Sequence, residues 1–533
     1  MMKKVIKKLL AALLAVAMVC AMAIPAFAEN SEGDVDSHHT YSAFQIFKGD
    51  VEGNNIKDFK ISNVDWGSNI ITNSEDFLAQ LKAAERIGGQ FEGATTAQDV
   101  LKVISRWHDS DDDSIAFARF VCHYLYSNDA NPTYVVRAGS NALTIPEAKA
   151  GYYLFVDTTD FSKDDSYHSY NSFLLMVTKG NWNVPITPKA EKPTVEKKVY
   201  DNPDGTSTGG FGSSADHAIN EKFQFQLTAT LPDSTNRAYD YYDKYSVIFH
   251  DTLSEGITYD GPYSVVIESN DITYTITDPS KYTINTDKLD SQNYFEVEIP
   301  DVKTCVAGLD LNKGATITVT YTAHLNEKAY VNTVGGGTDN KNSVYLEYSN
   351  NPRISTSLDH TPESEVRVYT YQLNNTKYRD DDTPGNELAG AGFRLYSGKD
   401  CTKEQEIKLK KNITDGTYSP YFGTDAGDEM FSDEHGQFNV KGLDAGTYYL
   451  RETKTPDDYN ACADKEIVIS ATHDVNHVSL SGNLSTTIIN KKAGGITLPS
   501  TGGIGTTIFY VVGGGLMVAA IVLLVTKKRM ENK

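Results

Sequence analysis

Cysteine is scarce in this chain, and positive charge is outnumbered by negative charge. Five cysteines among 533 residues are too few for a fold that is held together by many disulfides. The sequence has no cysteine spacing typical of a metal site and no glycine-rich phosphate-binding loop, so we expect neither a metal nor a cofactor. The net charge of −22 argues against nucleic acid or an anionic membrane as the partner.

Residues 1–28 have the features of a secretory signal peptide. A basic start precedes an apolar run from Leu9 to Ile24, and Ala26-Phe27-Ala28 offers the small-x-small pattern that signal peptidase cleaves. A lipoprotein anchor at Cys20 is the alternative, but the preceding valine is too large for the usual lipoprotein pattern. We therefore expect a secreted chain that begins near Glu29.

The other end of the chain combines three features in a fixed order. A pentapeptide comes first, an apolar stretch from Ile508 to Val525 is barely long enough to cross a bilayer, and Lys527-Lys528-Arg529 follows as a basic stop. An ordinary tail anchor is the alternative. Together the features resemble the cell-wall sorting signal of sortase substrates, which implies cleavage after the threonine of the pentapeptide Leu498, Pro499, Ser500, Thr501 and Gly502.

The part between the two cleavage points is long enough for roughly three domains of ordinary size. We place them at residues 29–190, 191–355 and 356–493, followed by the sorting signal at 494–533. Tyrosine is abundant, at 32 residues, and together with many threonines and valines it favours strands. The expected fold is mainly β, with tandem immunoglobulin-like β-sandwiches preceded by a mixed α+β N-terminal domain.

The N-terminal domain mixes two periodicities. Residues 40–47 and 151–157 are predicted strands, whereas apolar residues recur every three or four positions over 74–86 and 96–126. The acidic run 109–113 interrupts the second stretch and predicts two helices there. A solvated turn that caps the next helix is favoured over a calcium loop for this run.

After Pro193 the pattern changes to alternating strands separated by polar turns. Residues 223–227 and 317–321 alternate cleanly and indicate a β-sandwich in the middle domain. Residues 392–396 and 447–453 are predicted strands of a second all-β domain.

Polar residues interrupt the apolar faces of both β-domains. Residues two apart on a strand share a face, and by this count a lysine, an acid and an asparagine lie on core-facing stripes in each domain. Burying such groups singly costs free energy, so the members of each set are expected to meet. The two sets are Lys197, Asp251 and Asn342 in the middle domain, and Lys377, Glu452 and Asn490 in the last.

Burial gives such a set a reactive chemistry. Desolvation lowers the pKa of the amine and raises the pKa of the carboxyl group, which leaves a neutral nucleophile beside a protonated acid. The acid can polarise the asparagine carbonyl and pass a proton to the leaving ammonia, so that a Lys–Asn isopeptide bond forms. The alternative is a buried ion pair with a hydrogen-bonded asparagine.

Several motifs resemble those of Gram-positive pilins. Tyr448-x-Leu450-x-Glu452-Thr453 is similar to the pilin E-box, and residues 342–352 resemble the last strand of the fimbrial isopeptide-forming domain. His250-Asp251-Thr252-Leu253 resembles the acid-bearing strand of that domain, and residues 388–393 resemble the opening of a Cna B-type domain. In this order the motifs resemble the major, shaft-forming pilins of sortase-assembled pili.

The resemblance implies roles for the two polar sets and for two cysteines. No internal bond is expected in the N-terminal domain, where residues 151–157 resemble an E-box with a displaced acid. In some such pilins the last domain has a disulfide, which implies a pairing of Cys401 with Cys462. The implied isopeptide bonds join a lysine to an asparagine with one assisting acid each: Lys197 to Asn342 with Asp251, and Lys377 to Asn490 with Glu452.

The resemblance also implies an intermolecular bond. In the family, a Pro-Lys pair near the end of the first domain supplies the amine that attacks the threonine of the next subunit. Pro188-Lys189 lies at that boundary, so Lys189 of one subunit is expected to be joined to Thr501 of the next. Lys192 is the second candidate, and an ordinary linker lysine is the alternative interpretation of Lys189.

The function implied is that of a structural subunit on the cell wall, not of a turnover enzyme. The implied partners are other copies of the chain head to tail, pilin and housekeeping sortases, minor pilins, peptidoglycan and host surface ligands. A monomeric wall-anchored adhesin or a minor base pilin is the first alternative. A wall-anchored enzyme with its site in residues 29–188 is the second, but nothing there assembles a nucleophile, a base and an orienting group.

Overall fold

The structure is a computed structural model. It describes residues 39–53, 60–108, 111–137, 143–144, 150–162, 168–171, 173–178, 183–184, 192–203, 208–332, 340–482 and 484–493. The chain divides into two compact units. The first contains residues 1–372, 442–446 and 469–481, and the second contains residues 373–441, 447–468 and 482–533.

The N-terminal part of the first unit is a helix-covered sheet with the strand order β2-β1-β5-β6, in which β3 also pairs with β1. The strand predicted at 151–157 is confirmed as β5, and every one of its residues is buried. The elements are β1 (Thr40–Glu52), β2 (Lys60–Trp66), α1 (Ser74–Ala83), α2 (Ala97–Ile104), α3 (Asp112–Ser127), β3 (Tyr134–Arg137), β4 (Leu143–Thr144), β5 (Gly151–Asp157), β6 (Leu174–Thr178) and β7 (Asn183–Val184).

Side chains at the starts of two helices in this part supply a cap and ion pairs. Thr96 caps α2 through a capping box with Asp99, which satisfies backbone donors at the helix start. The predicted division of 96–126 into two helices is confirmed. At the start of α3, Asp112 and Asp113 form ion pairs with Arg86, so these two carboxylates are matched by a side-chain cation.

The second part of the first unit is a β-sandwich. One sheet has the order β14-β13-β17-β11-β8-β9, and the other has the order β10-β20-β18-β12-β16-β15, with β19 paired to β18. The elements are β8 (Thr194–Asp201), β9 (Gly210–Gly212), β10 (Ser214–Asp216), β11 (Lys222–Leu231), β12 (Val247–Leu253), β13 (Ile257–Ser269), β14 (Ile272–Thr275), β15 (Thr283–Asn285), α4 (Leu289–Gln292), β16 (Tyr294–Ile299), α5 (Val302–Cys305), β17 (Ala315–Leu325), β18 (Asn340–Ser349), β19 (Leu358–His360) and β20 (Ser364–Tyr369).

The sandwich follows from strict alternation along its strands. In β17 every second residue is buried and the residues between them are half-buried, which is the pattern of strands that cover a core with one face. Phe225, Val319, Phe249 and Leu346 come from both sheets and are fully buried in one continuous core. The apolar stripes predicted for this part are therefore the inner faces of the sandwich.

The remaining strands form two further sheets. One has the order β24-β25-β27-β21-β31 and the other has the order β23-β22-β28-β29-β30, with β26 paired to β22. The mainly β fold is confirmed. The strands are β21 (Tyr371–Arg379), β22 (Gly392–Tyr396), β23 (Glu406–Ile407), β24 (Leu409–Lys411), β25 (Tyr418–Pro420), β26 (Met430–Phe431), β27 (Val440–Leu443), β28 (Gly446–Lys454), β29 (Lys465–His473), β30 (Val478–Gly482) and β31 (Ser485–Asn490).

Several predicted features lie outside the described residues. They are the signal peptide, Lys189, and the sorting signal with Thr501 and the apolar stretch 508–525. Within the described part of the chain, no helix is long and apolar enough to cross a membrane.

Candidate isopeptide-forming sites

The middle sandwich brings together the three residues of its predicted set. Lys197 lies on β8 in one sheet, whereas Asp251 and Asn342 lie on the adjacent strands β12 and β18 of the opposing sheet. All three point inward, and their exposed fractions are 2%, 0% and 0%. Lys198 points the other way and pairs with Glu196 at 3.0 Å, so the face predicted for Lys197 is confirmed.

A fourth residue joins this set and was not identified from the sequence. The Tyr321 hydroxyl accepts hydrogen bonds from Lys197 Nζ at 3.3 Å and from Asn342 Nδ2 at 2.7 Å. The same hydroxyl lies 3.2 Å from both carboxylate oxygens of Asp251 and can donate its proton to either one. Tyr321 therefore links the acid to the asparagine.

The contact between Lys197 and Asp251 is a direct hydrogen bond from the amine to Oδ2. The amine also lies 5.4 Å from the centre of the Phe225 ring, so aromatic groups surround it. Asn342 Oδ1 is buried, and among the described residues it has no hydrogen-bond partner. The asparagine carbonyl is thus held in the core without a donor, which is a costly arrangement in a folded protein.

Burial dominates the electrostatics of the middle site. It lowers the pKa of Lys197 to about 8, against the opposing charge of Asp251. Burial likewise raises the pKa of Asp251, although Lys197 and Tyr321 oppose the shift. Both shifts favour the uncharged forms, as expected for ionisable groups taken out of water.

The second site lies within the second unit. Lys377 on β21 and Asn490 on β31 belong to neighbouring parallel strands, and Glu452 lies on β28 of the other sheet. Lys377 Nζ donates to Asn490 Oδ1, and Asn490 Nδ2 donates to Glu452 Oε1 at 2.6 Å. The side chains of Lys377 and Glu452 are fully buried and their charged atoms are 3.8 Å apart.

The two sites differ in how the acid reaches the asparagine. Glu452 contacts the Asn490 amide directly, and its second oxygen accepts a backbone hydrogen bond from Cys462 at 2.9 Å. In the middle site the shorter Asp251 is connected through Tyr321. Burial lowers the pKa of Lys377, as it does for Lys197.

The N-terminal part of the first unit has a different buried polar set. The hydrogen-bond partners of Asp157 include His39 Nδ1 at 2.7 Å and Asn171 Nδ2 at 3.1 Å. Lys48 instead pairs with Asp65 at 3.1 Å in an exposed ion pair. The acid and the asparagine are thus accompanied here by a histidine and not by a lysine, and the absence of an internal bond stays a prediction.

The four cysteines of the described part of the chain, Cys122, Cys305, Cys401 and Cys462, are free thiols in the structure. The structure therefore has reduced thiols where the resemblance implies a disulfide between Cys401 and Cys462. Cys401 Sγ lies 3.9 Å from Asp464 Oδ2, and burial raises the pKa of Cys462 to about 11. Both features favour the protonated thiol, and the pairing stays a prediction for the oxidised protein.

Comparison with protein families identifies two segments. Residues 374–483 match the SpaA family of prealbumin-like fold domains, and residues 490–532 match the LPXTG cell wall anchor motif. The chain is a cell-wall-anchored surface protein. The resemblance seen in the sequence is thereby confirmed for its last β-domain and its sorting signal. No match was found among curated proteins.

Several solved pilin structures are similar to the chain at low sequence identity. The T6 backbone pilin of Streptococcus pyogenes is 17% identical, with 87% of this chain and 100% of that chain covered and a TM-score of 0.48. A C-terminal fragment of the major pilin GBS80 of Streptococcus agalactiae is 21% identical, with 56% of this chain and 100% of that chain covered and a TM-score of 0.40. The major pilin SpaD of Corynebacterium diphtheriae is 15% identical, with 85% of this chain and 93% of that chain covered and a TM-score of 0.40.

Proposed function

We propose that the chain is the repeating shaft subunit of a covalent surface pilus. The observation that carries the proposal is the recurrence of one buried set, lysine with asparagine and acid, in two successive β-domains ahead of a cell-wall anchor. Buried ionisable groups of this kind add little to the stability of a fold as long as they stay unbonded, because desolvation offsets their attraction. A bond that locks strands together suits a subunit that transmits force.

The proposed reaction in each site is an amide exchange. The neutral lysine Nζ attacks Cγ of the asparagine, the bond from Cγ to Nδ2 breaks, and ammonia leaves with the proton released by the amine. Asp251 or Glu452, in its protonated form, polarises the asparagine carbonyl and shuttles that proton. The chemistry takes place once in each domain, so the chain is its own substrate and not a turnover enzyme.

The bonds would connect different parts of the two domains. The bond from Lys197 to Asn342 would join the opposing sheets of the middle sandwich through β8 and β18. The bond from Lys377 to Asn490 would join the parallel strands β21 and β31. Pulling on the chain would then load covalent bonds before the hydrogen bonds of the sheets are sheared.

Polymerisation would use residues outside the two sites. A pilin sortase would cleave after Thr501 and transfer its carbonyl to Lys189 of another subunit, while a housekeeping sortase would transfer the last subunit to peptidoglycan. Minor pilins would complete the fibre. A monomeric adhesin or a base pilin would carry the same anchor but would not form a series of covalent multimers.

An immunoblot of boiled, denatured cell-wall extracts tests the shaft function. The wild-type chain is expected to give a ladder of high-mass multimers, because isopeptide-linked subunits survive boiling in detergent. Thr501→Ala should abolish the ladder, and Thr506→Ala, just beyond the motif, should leave it intact. A single wild-type band in cells that express the protein would reject the shaft function and favour a monomeric adhesin.

Removal of one hydroxyl group tests the role of Tyr321. Tyr321→Phe keeps the ring that packs 5.4 Å from Phe225 but removes the link from Asp251 to Asn342. Bond formation in the middle domain is expected to slow by up to about tenfold, since a hydrogen bond between uncharged groups is worth roughly 0.5–1.5 kcal/mol and about 1.4 kcal/mol corresponds to a tenfold change in rate. The measurement is the time course of ammonia loss by intact mass after refolding.

The same molecule supplies an internal control for Tyr321. The bond from Lys377 to Asn490 should form at an unchanged rate, because Tyr321 does not belong to that site. Tyr259→Phe removes the hydroxyl from a neighbouring ring whose centre lies 5.4 Å from that of Tyr321, and it should not slow bond formation comparably. Equal rates in wild type and Tyr321→Phe would show that Asp251 acts without the tyrosine.

A further inference from the structure

A second cluster of buried polar residues lies in the first unit, apart from the isopeptide sites. It contains Asp201 at the end of β8, Asp216 at the end of β10 and His473 at the end of β29. One oxygen or nitrogen atom from each of the three lies within 4.8 Å of the others. Asp216 is 1% exposed, and the side chain of His473 is 10% exposed.

Asp216 carries an oxygen that has no hydrogen-bond donor. Its Oδ2 accepts from the Tyr371 hydroxyl at 2.8 Å, but its buried Oδ1 has no hydrogen-bond partner among the described residues. That Oδ1 lies 3.7 Å from His473 Nε2, which is longer than a hydrogen bond. A buried carboxylate oxygen in this state is stabilised if a cation lies beside it.

The other two members of the cluster are held in position by neighbours. His473 Nδ1 lies 2.8 Å from Ser214 Oγ, and donation of its proton to that hydroxyl directs the lone pair of Nε2 toward Asp216. Asp201 Oδ1 accepts a hydrogen bond from the backbone nitrogen of Asp216 at 3.2 Å. Metal-binding histidines are characteristically oriented in this way, by a hydrogen bond through the second ring nitrogen.

A further set of polar groups, His217, Glu221 and Asp444, adjoins the first. One atom of each again lies within 4.8 Å of the others. His217 Nε2 lies 2.7 Å from the carbonyl oxygen of Tyr200 and donates to it, which turns Nδ1 toward Glu221 Oε2 at 3.8 Å. Burial, with the charges of Asp216 and Glu221, raises the pKa of Asp444. Four carboxyl groups are thus gathered around two imidazoles.

We propose that Asp201, Asp216 and His473 bind one divalent transition-metal cation of the Zn²⁺ or Mn²⁺ class. Two carboxylate oxygens with one imidazole nitrogen suit such a metal, whereas Ca²⁺ and Mg²⁺ take oxygen ligands. With metal–ligand bonds of about 2.1 Å, the separation of Asp216 Oδ1 from His473 Nε2 corresponds to an angle of about 120° at the metal. These ligands are far apart in the chain, so no local spacing in the sequence indicates a metal site here.

The cation would tie together chain segments that are distant in sequence. Asp201 and Asp216 belong to strands of the middle sandwich, and His473 belongs to the segment 469–481 of the same unit. A ligand that binds only the folded state stabilises it, by an amount that grows with the logarithm of the ligand concentration divided by the dissociation constant. The bound cation would therefore hold segment 469–481 against the middle sandwich. Its binding would not depend on the isopeptide bonds.

Metal analysis of the mature chain, residues 29–501, tests the proposal. The protein is freed of metal with a chelator and dialysed separately against ZnCl₂, MnCl₂ and CaCl₂, and bound metal is counted by mass spectrometry. About one Zn²⁺ or Mn²⁺ per chain is expected, with a higher thermal midpoint than the metal-free protein. Asp216→Asn and His473→Gln are each expected to weaken binding at least tenfold.

A matched variant separates this site from other histidines. His324 pairs with Asp260 at 2.7 Å in the same unit, and His324→Gln should leave the bound metal unchanged. Circular dichroism of the metal-free variants checks their folding, and His473→Gln decides the outcome if Asp216→Asn does not fold. The proposal is overturned if no metal is retained, if His473→Gln binds as wild type does, or if Ca²⁺ alone binds.

Discussion

Replacing Asn342 by alanine is expected to remove one of two internal bonds and to lower the stability of the middle domain markedly. Each bond expels one ammonia, so the wild-type mature chain should weigh about 34 Da less than its calculated mass and Asn342→Ala about 17 Da less. The lost bond closes a loop of about 145 residues, which the chain-entropy model values at about 5 kcal/mol. For a domain of this size that corresponds to a thermal midpoint lower by about 10–20 °C.

The loss of the bond has a second consequence in the variant. Lys197 would remain an unreacted amine, buried beside the carboxyl group of Asp251. Burial of such a pair stabilises a fold little, even when its geometry is good. The unbonded domain should therefore also unfold faster and be cut sooner by protease than the wild-type domain, in which a covalent bond joins the two sheets.

Asn340→Ala is the matched control for this experiment. Asn340 lies two residues away on β18 and is fully buried, but its amide bonds to the backbone of Tyr330 and Val368. Its replacement should lower stability through lost hydrogen bonds while the mass deficit stays at about 34 Da. A wild-type mass equal to the calculated value would reject both internal bonds, and an unchanged deficit in Asn342→Ala would assign the bond to another asparagine.

Replacing Lys189 by alanine is expected to abolish the multimer ladder on boiled immunoblots. The sortase-bound threonine needs an amine to attack it, and without that amine the subunits can be transferred only to peptidoglycan. The variant should therefore give a single wall-released band at the mass of one subunit. The mass deficit of about 34 Da from the two internal bonds should be unchanged, because Lys189 belongs to neither isopeptide-forming set.

Two other lysines serve as controls for the linking residue. Lys192 lies three residues further on, and Lys198 lies on the outward face of β8, paired with Glu196. Both alanine variants should keep the full ladder. A ladder that persists in Lys189→Ala and disappears in Lys192→Ala would move the intermolecular bond to Lys192 and leave the shaft function in place.

The inward orientation of the lysine, acid and asparagine in each of the two sets was predictable, because side chains along a strand alternate between its two faces. Once Val195 and Val199 face the core, Lys197 must face it as well, and the same count places Asn342 and Lys377 inward. Tyr321 could not be selected in this way. Many tyrosines of the sandwich also face inward, including the fully buried Tyr348 and Tyr245, and only the distances between strands reveal which hydroxyl reaches Asp251.

The sequence by itself determined the mainly β fold, the inward faces of the strands and the wall anchor, since each follows from short-range periodicity or a local motif. Only the tertiary structure decided which strands lie beside one another. It places Lys197 across the sandwich from Asn342, sets Lys377 and Asn490 on parallel neighbours, and gathers Asp216 with His473. Such contacts depend on how sheets pair and pack, which local patterns along one strand do not encode.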